Sequence, residues 1–381
     1  MTTGPLTGIR VLDVSQGAVG PWAGALLGML GADVVKMEAP SGDFIRQVMP
    51  EKRGLSATYI SMNSCKRAVI LDMKVPVERA HAHALAAKAD VFIENFRPGV
   101  ADRIGIGYAE LSRLNPRLVY ASASGFGPVG PLVPMGATDP HIQAFTGSTS
   151  VNGKPGGLRQ RWRWYGHFDC TTSVVIVQSI LAGLLQRAID GKGRLLEITM
   201  VEAAIALQRV RLAEHLGGGA PVPMGSATTY LVPDQAFETQ DEPIAVSATS
   251  PRQWRALCRV LGLDALADDP RFATNPVRVA NRDALIPQLE AVFRTRPLWF
   301  WEERLRAAHV PAAGFTSFRQ FRFHAHYLEN GMIRDFDTVW GKLCVGGLPW
   351  QFDRTPAQLW PASQPGEHTA AIVAGGWPAL R

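Results

Sequence analysis

The sequence predicts an α/β fold, with a parallel sheet covered by helices in its first half and a smaller α/β part beyond it. Three observations predict this. β-rich runs alternate with helical runs from residue 9 to residue 216, the pattern of a sheet packed on both faces. The chain opens with a strand, a glycine-rich turn, a helix and a second strand, a βαβ unit of the Rossmann type. The 381 residues also show one clear composition shift, Gly217-Gly218-Gly219-Ala220-Pro221-Val222-Pro223, which reads as a linker.

Taken in order, residues 9–14 are the first strand, and Gly17-Ala18-Val19-Gly20-Pro21 is the turn. Pro21 suits the first turn of a helix over 22–30, which Gly31 ends before a strand at 33–38. Glu38 sits where a ribose-binding acid would in a dinucleotide fold, but Gly17, Gly20 and Gly24 do not give G-x-G-x-x-G. That spacing, and the N–H lost at Pro21, argue against a nicotinamide site. Strand 68–71, helix 77–88 and strand 90–93 follow, then the loop Glu94-Asn95-Phe96-Arg97-Pro98-Gly99. A short helix at 100–104, a helix at 108–114, a strand at 118–122 and a turn-rich loop at 125–137 continue the alternation.

Asp169 then precedes Cys170-Thr171-Thr172-Ser173 and the apolar run 174–185. Asp169, Thr171, Thr172 and Ser173 are each able to cap a helix start, where unpaired N–H groups and the helix dipole favour an ionised carboxylate. A carboxylate held there is a helix cap or a nucleophile, and the residues alone leave both readings open. The helix runs to about residue 189 and stops at Asp190-Gly191-Lys192-Gly193-Arg194. Strand 195–199 and helix 201–216 complete a large domain over 1–216, with 217–224 as linker. The small domain, 225–320, has a strand at 243–248, a capping-box start at Ser250-Pro251-Arg252-Gln253, and helices at 281–294 and 298–308. The tail, 321–381, shows little periodicity.

The composition, 46% hydrophobic and 19% charged, is that of a soluble globular chain. A net charge of +6 favours anionic ligands, yet the Lys and Arg residues form no long block, which argues against nucleic acid. Cys65, Cys170, Cys258 and Cys344 lie far apart without C-x-x-C spacing. That argues against a zinc or disulfide framework and suits the reducing cytoplasm, and no metal site is expected. The first ten residues have no apolar stretch of a signal peptide, and the run 174–185 is too short to span a bilayer, so no membrane association is expected.

Several stretches together resemble the class III CoA transferases, the group of formyl-CoA and carnitine-CoA transferases. They are Leu6-Thr7-Gly8-Ile9-Arg10-Val11-Leu12-Asp13, Leu30-Gly31-Ala32-Asp33-Val34-Val35-Lys36-Met37-Glu38, Ser41-Gly42-Asp43, Lys66-Arg67 and Leu71-Asp72-Met73-Lys74. The loop 94–99, the turn 190–194, Asp269-Pro270-Arg271-Phe272-Ala273-Thr274-Asn275 and Pro365-Gly366-Glu367-His368-Thr369 complete the set. The resemblance implies a Rossmann-like large domain built from both chain ends, a smaller central α/β domain, and a homodimer of interlocked subunits. It implies that Asp169 attacks an acyl-CoA thioester to give an aspartyl anhydride and then an aspartyl–CoA thioester, from which a carboxylic acid takes the CoA. It also implies no permanently bound cofactor, CoA and acyl-CoA being substrates. By family position Lys74, Asn95, Phe96, Arg97 and Arg103 hold CoA, and Val19 lies near the thioester.

The same superfamily includes α-methylacyl-CoA racemases, which use a His directly before an Asp. Here that dipeptide is Thr138-Asp139, and Thr138 is no base near neutral pH. His141 and His167 are the nearest substitutes. The formyl-CoA branch carries a Gln where this chain has Ala18, and its glycine-rich lid loop has no clear counterpart. An acyl-CoA-binding family member without turnover is a further alternative, which retention of Asp169 disfavours. For the acceptor acid, with a small dicarboxylate as one reading, the candidates are Arg161, Arg163 and Asp139. Arg159, Arg161 and Arg163 alternate with Gln160, Trp162 and Trp164. On a strand this is either a solvated basic face or an Arg clamp over the substrate's second carboxylate.

Overall fold

The computed structural model describes residues 4–157, 160–161, 166–219, 222–352 and 359–377. The chain divides into two compact units. One comprises Met1–Thr146, Trp162–Leu212 and His324–Arg381, and the other Gly147–Arg161 and Ala213–Phe323.

In the first unit β1 (Arg10–Asp13), α1 (Val19–Met29) and β2 (Asp33–Glu38) form the opening βαβ unit. A small hairpin of β3 (Glu51–Lys52) and β4 (Leu55–Ser56), then α2 (Ala57–Asn63), precede β5 (Arg67–Ile70). The alternation continues through α3 (Pro76–Lys88), β6 (Val91–Glu94), α4 (Val100–Arg103), α5 (Tyr108–Leu114) and β7 (Val119–Ser124). After α6 (Asp139–Phe145) come α7 (His167–Asp190), β8 (Arg194–Thr199), α8 (Met200–Leu207) and α9 (Arg209–Leu216), whose residues from Ala213 on are grouped with the second unit.

Six strands make one parallel sheet in the order β5-β2-β1-β6-β7-β8. Its strands are short apolar runs because both faces are covered. Val11, Ile93 and Ala121 point into one core, and Leu12, Phe92 and Tyr120 into the other. From β1 the chain builds outward to β2 and β5 on one side, then returns to β6 and builds to β8 on the other. The β1–β6 boundary is therefore the switch point, beyond whose carboxyl ends ligands bind in open α/β sheets.

Helix α7 begins at Gly166, whose φ of 59° is left-handed, and ends at Gly191 with φ 75°. Ile176, Val177 and Ile180 seat its inner face in the core. Arg187 fixes its last turns through Asp90 at 2.9 Å and the carbonyl of Arg117. By length and composition the 24-residue helix is long and apolar enough to cross a membrane. The core helix of a soluble protein passes the same test, and the apolar run 174–185 lies within this helix with Ile176, Val177 and Ile180 buried. The helix expected over 201–216 is instead two, broken at Gln208, whose Nε2 donates to the Thr146 carbonyl at 3.2 Å.

The second unit holds β9 (Asp234–Phe237), β10 (Ile244–Ser247), α10 (Pro251–Leu261), α11 (Asp264–Asp268), α12 (Asn275–Ala280), α13 (Arg282–Phe293), α14 (Leu298–Ala307) and β11 (Ala312–Gly314). Its three strands form an antiparallel sheet, β11-β10-β9, over Phe237, Trp254, Phe272, Phe293 and Trp301. Ser250 caps α10 as expected, accepting from Gln253 N at 3.3 Å, but Gln253 Oε1 closes back on Thr249 N and not on Ser250. Residues 147–161, expected in the large domain, group here, with Gly225 N donating to the Gly153 carbonyl at 2.8 Å. The expected linker 217–224 also falls within this unit.

The tail contains an antiparallel hairpin, β12 (Ile333–Thr338) and β13 (Gly341–Gly346), which its sequence did not suggest. Trp340 Nε1 donates to the Leu55 carbonyl at 3.0 Å, and Phe336 and Leu343 pack on Ile45, Leu55 and Tyr59. Further on, Trp377 Nε1 donates to Asp33 Oδ2 at 2.7 Å.

Candidate active site

The glycine turn lies at the carboxyl end of β1, beside the loop that follows β6. Asn95 joins them reciprocally: Gln16 N donates to Asn95 Oδ1 and Asn95 Nδ2 to the Gln16 carbonyl, both at 2.7 Å. Glu94, at the end of β6, accepts from Phe96 N at 2.8 Å and so sets the direction of the Asn95–Phe96 loop. Burial pushes the Glu94 carboxyl up to about 7. No side chain caps α1, which starts at buried Val19.

Beneath the turn lies a buried charge cluster that sequence reasoning missed. Lys66 Nζ donates to Asp13 Oδ2 at 2.7 Å, the Pro21 carbonyl at 2.6 Å and Asn63 Oδ1 at 2.9 Å. Lys36 Nζ donates to the Ser15 carbonyl and lies 3.4 Å from Asp43 Oδ2, while Asp43 accepts from Gly17 N at 3.1 Å. Asp13 Oδ1 also accepts from Ser15 N at 3.0 Å, so two lysines and two aspartates hold four backbone points of one turn. Glu38 is not a ribose-binding acid: it is buried and clamped by Arg46 at 2.8 and 2.6 Å and by Tyr59 at 2.8 Å. Against the opposing pull of burial, the Arg46 hydrogen bonds hold Glu38 at about 2.

Asp169 stands on the first turn of α7, as its third residue and not as its cap. The helix starts earlier than its sequence suggested because Gly166 adopts the left-handed conformation. A Cβ on Gly166 would lie 2.9 Å from Asp169 Oδ2 on a backbone already in the left-handed region, so a side chain there would be strained and would press on Asp169. The N–H groups of that turn are taken by a residue from α6. Asp139 Oδ1 accepts from Phe168 N at 2.5 Å and lies 3.4 Å from Asp169 N, and its Oδ2 accepts from Gln143 Nε2. The helix start therefore does not keep Asp169 readily ionised. Burial, and then the Asp139 charge, push its carboxyl up to about 7. Ser173 Oγ donates to the Val19 carbonyl at 2.7 Å and lies 2.8 Å from the Asp169 carbonyl, tying the glycine turn to the start of α7.

Lys74, Arg97 and Arg103 are exposed, and each follows a strand's carboxyl end or lies on the loop and short helix beyond it. Arg97 lies against Gly136, where an added Cβ would be 3.0 Å from its Nη2. Asp139, a candidate for the acceptor, is buried, with its Oδ1 accepting from Phe168 N and its Oδ2 from Gln143 Nε2. Arg161 is exposed in the second unit. Arg163, with the rest of 162–165, lies outside the described residues. Thr138 and His141 are hydrogen-bonded to each other at 2.9 Å. Besides its place in the Thr138-Asp139 dipeptide, Asp139 stands before Pro140 at a helix start, with Gln143 four residues on.

The model of the family described as CoA-transferase family III matches residues 6–369. An acetyl-CoA:oxalate CoA-transferase of Acetobacter aceti is 36% identical over 310 residues, covering 81% of this chain and 80% of the relative. A succinyl-CoA:glutarate CoA-transferase of Mus musculus is 31% identical over 375 residues, covering 97% and 86%. The crystal structure of a CAIB/BAIF family protein from Brucella suis superposes with a TM-score of 0.87 at 30% identity, over 98% of this chain and 99% of that one. A match along nearly the whole chain, on a fold that sets the glycine turn beside the Asp169 helix, makes this protein an enzyme of CoA-transferase family III.

Proposed function

We propose that this enzyme moves CoA from an acyl-CoA thioester to a small dicarboxylic acid through covalent intermediates on Asp169. The observation that carries this reading is a carboxylate on the first turn of α7, bare of a side chain at Gly166 and tied through Ser173 to the switch-point turn. A carboxylate oxygen of Asp169 attacks the thioester carbon, the C–S bond breaks, and CoA leaves as thiolate. The thiolate attacks the aspartyl carbonyl of the anhydride and releases the donor's carboxylate, leaving an aspartyl–CoA thioester. The acceptor carboxylate displaces CoA to form a second anhydride. CoA then attacks the acceptor's acyl carbon and frees Asp169.

The names of the relatives, with oxalate in one and glutarate and succinyl-CoA in another, favour a dicarboxylate acceptor. A panel of succinate, glutarate, oxalate and mesaconate against cinnamate and a betaine acid tests it. Dicarboxylates are expected to react at least ~10-fold faster, since a bidentate Arg contact to the second carboxylate is worth about 1.5–3 kcal/mol. A preference for monocarboxylates would overturn the dicarboxylate assignment.

For CoA itself, Arg103→Ala is expected to raise KM for CoA esters about tenfold, through loss of one phosphate contact. A pantetheine ester, which lacks those phosphates, serves as the control and should be unaffected. An unchanged KM for the CoA ester marks Arg103 as a surface charge only.

The enzyme works as an interlocked homodimer in this reading. The outward apolar side chains Val174, Leu181, Leu185 and Ile189 on α7 and Ile205 and Leu207 on α8 suit a second copy. Four cysteines held as thiols fit a cytoplasmic setting.

A further inference from the structure

The geometry points to Asp139 as a positioning residue: a charge set at the start of α7 that favours the acylated form of Asp169 over its free carboxylate. This rests on the reading of Asp169 as the nucleophile. Asp139 is the first residue of α6 and only 5% exposed. Its Oδ1 takes Phe168 N at 2.5 Å and approaches Asp169 N at 3.4 Å, while Oδ2 is held by Gln143. The carboxylate therefore has one fixed place, and it occupies the donors and the positive helix end that would otherwise stabilise Asp169 as an anion.

Among the described residues, none of the Lys and Arg ion pairs includes Asp139 or Asp169. Helix α1 carries no ionisable side chain. On α6 the other titratable group, His141, is engaged with Thr138. Glu202 of α8 is held by Thr199, and Tyr120 of β7 donates to the Ile106 carbonyl. Arg194 of β8 pairs with Asp190, and Glu197 is exposed. On α7 itself His167 and Cys170 flank Asp169; burial lowers the His167 pKa against the opposing pull of the Asp139 charge, and burial pushes the Cys170 thiol up to about 11. Burial and Asp139 together raise Asp169.

The consequence is chemical. In the anhydride and in the aspartyl–CoA thioester Asp169 is uncharged, and the negative charge has left on the CoA thiolate or on the released carboxylate. Like-charge repulsion from Asp139 is present only while Asp169 is free, so formation of the first anhydride relieves it and the last step, which frees Asp169, restores it. A nucleophile of higher basicity also attacks a thioester faster once ionised.

The test is Asp139→Asn in the full-length protein. Asn keeps an oxygen for Phe168 N and removes the charge. Asp139→Ser, an uncharged cap, is the second variant should Asn fail to fold. The Asp169 carboxyl is titrated in resting enzyme by infrared difference spectroscopy against Asp169→Asn, and hydroxylamine-trapped adduct is quantified at saturating acyl-CoA. In either variant the Asp169 midpoint is expected to fall by at least one pH unit. Trapped adduct is expected to fall at least fivefold, with KM for the CoA ester within twofold. An unmoved midpoint, or a lowered midpoint with undiminished adduct, overturns the role of Asp139. Because the titration uses enzyme without substrate, the two claims separate. Absence of adduct in the wild type defeats the nucleophile reading, whereas an unmoved midpoint in a variant of an enzyme that does form adduct defeats this one.

Discussion

Asp169→Asn is expected to lower CoA transfer at least about a thousandfold while leaving the protein folded, because an amide cannot form the anhydride. The same substitution has a signature in stability. Asp169 does not cap α7, so no capping bond is lost. Its folded-state pKa of about 7 lies above the ordinary carboxyl value. The stabilisation linked to that shift is fully present below about pH 4, where both states hold the proton, and is lost as pH rises through about 7. Ionised Asp169 therefore destabilises the fold at pH 8, and Asn does not. After discounting for its partial exposure, about 1–3 kcal/mol is expected. Urea unfolding at pH 5 and pH 8 checks this: the variant should gain on the wild type at pH 8 and gain less at pH 5. A variant less stable at both pH values would restore Asp169 as a cap.

Asp13→Ala is expected to cost about 3–5 kcal/mol, the scale for leaving a buried charge without its partner. Asp13 is fully buried, and its carboxylate faces Lys66 at 2.7 Å and takes Ser15 N at 3.0 Å. Burial opposes its ionisation, yet Lys36 and Lys66 hold it below the usual carboxylate range. Without it Lys66, which burial already lowers to about 8, keeps only neutral oxygens. The double change Asp13→Leu with Lys66→Met should recover much of the loss, as replaced buried pairs do. Because Lys66 also holds the Pro21 carbonyl, the single variant should bind CoA esters more weakly. A loss below about 1 kcal/mol in urea unfolding would remove the cluster from the account of the turn.

Local pattern revealed much of this fold and contact pattern the rest. The strand at 33–38 and the helix at 108–114 stand where the sequence puts them, because periodicity and the flanking Gly31 and Gly107 are local signals. The first turn of α7 was not legible, since its start depends on the left-handed Gly166 and on Asp139, thirty residues earlier. Lys66 and Asp13 meet across 53 residues, a pairing that no spacing rule contains. The hairpin at 333–346 has strands whose apolar faces matter only against Ile45 and Tyr59. Family likeness named Asp169, but its burial beside a second carboxylate emerged only from the geometry.

The most direct test of covalent transfer at Asp169 is mass spectrometry of the enzyme incubated with succinyl-CoA and acetyl-CoA, with and without hydroxylamine. The account predicts a CoA or acyl mass on the peptide that carries Asp169, its conversion to a hydroxamate, and neither in Asp169→Asn. A wild-type enzyme that transfers CoA while this peptide stays unmodified would contradict it.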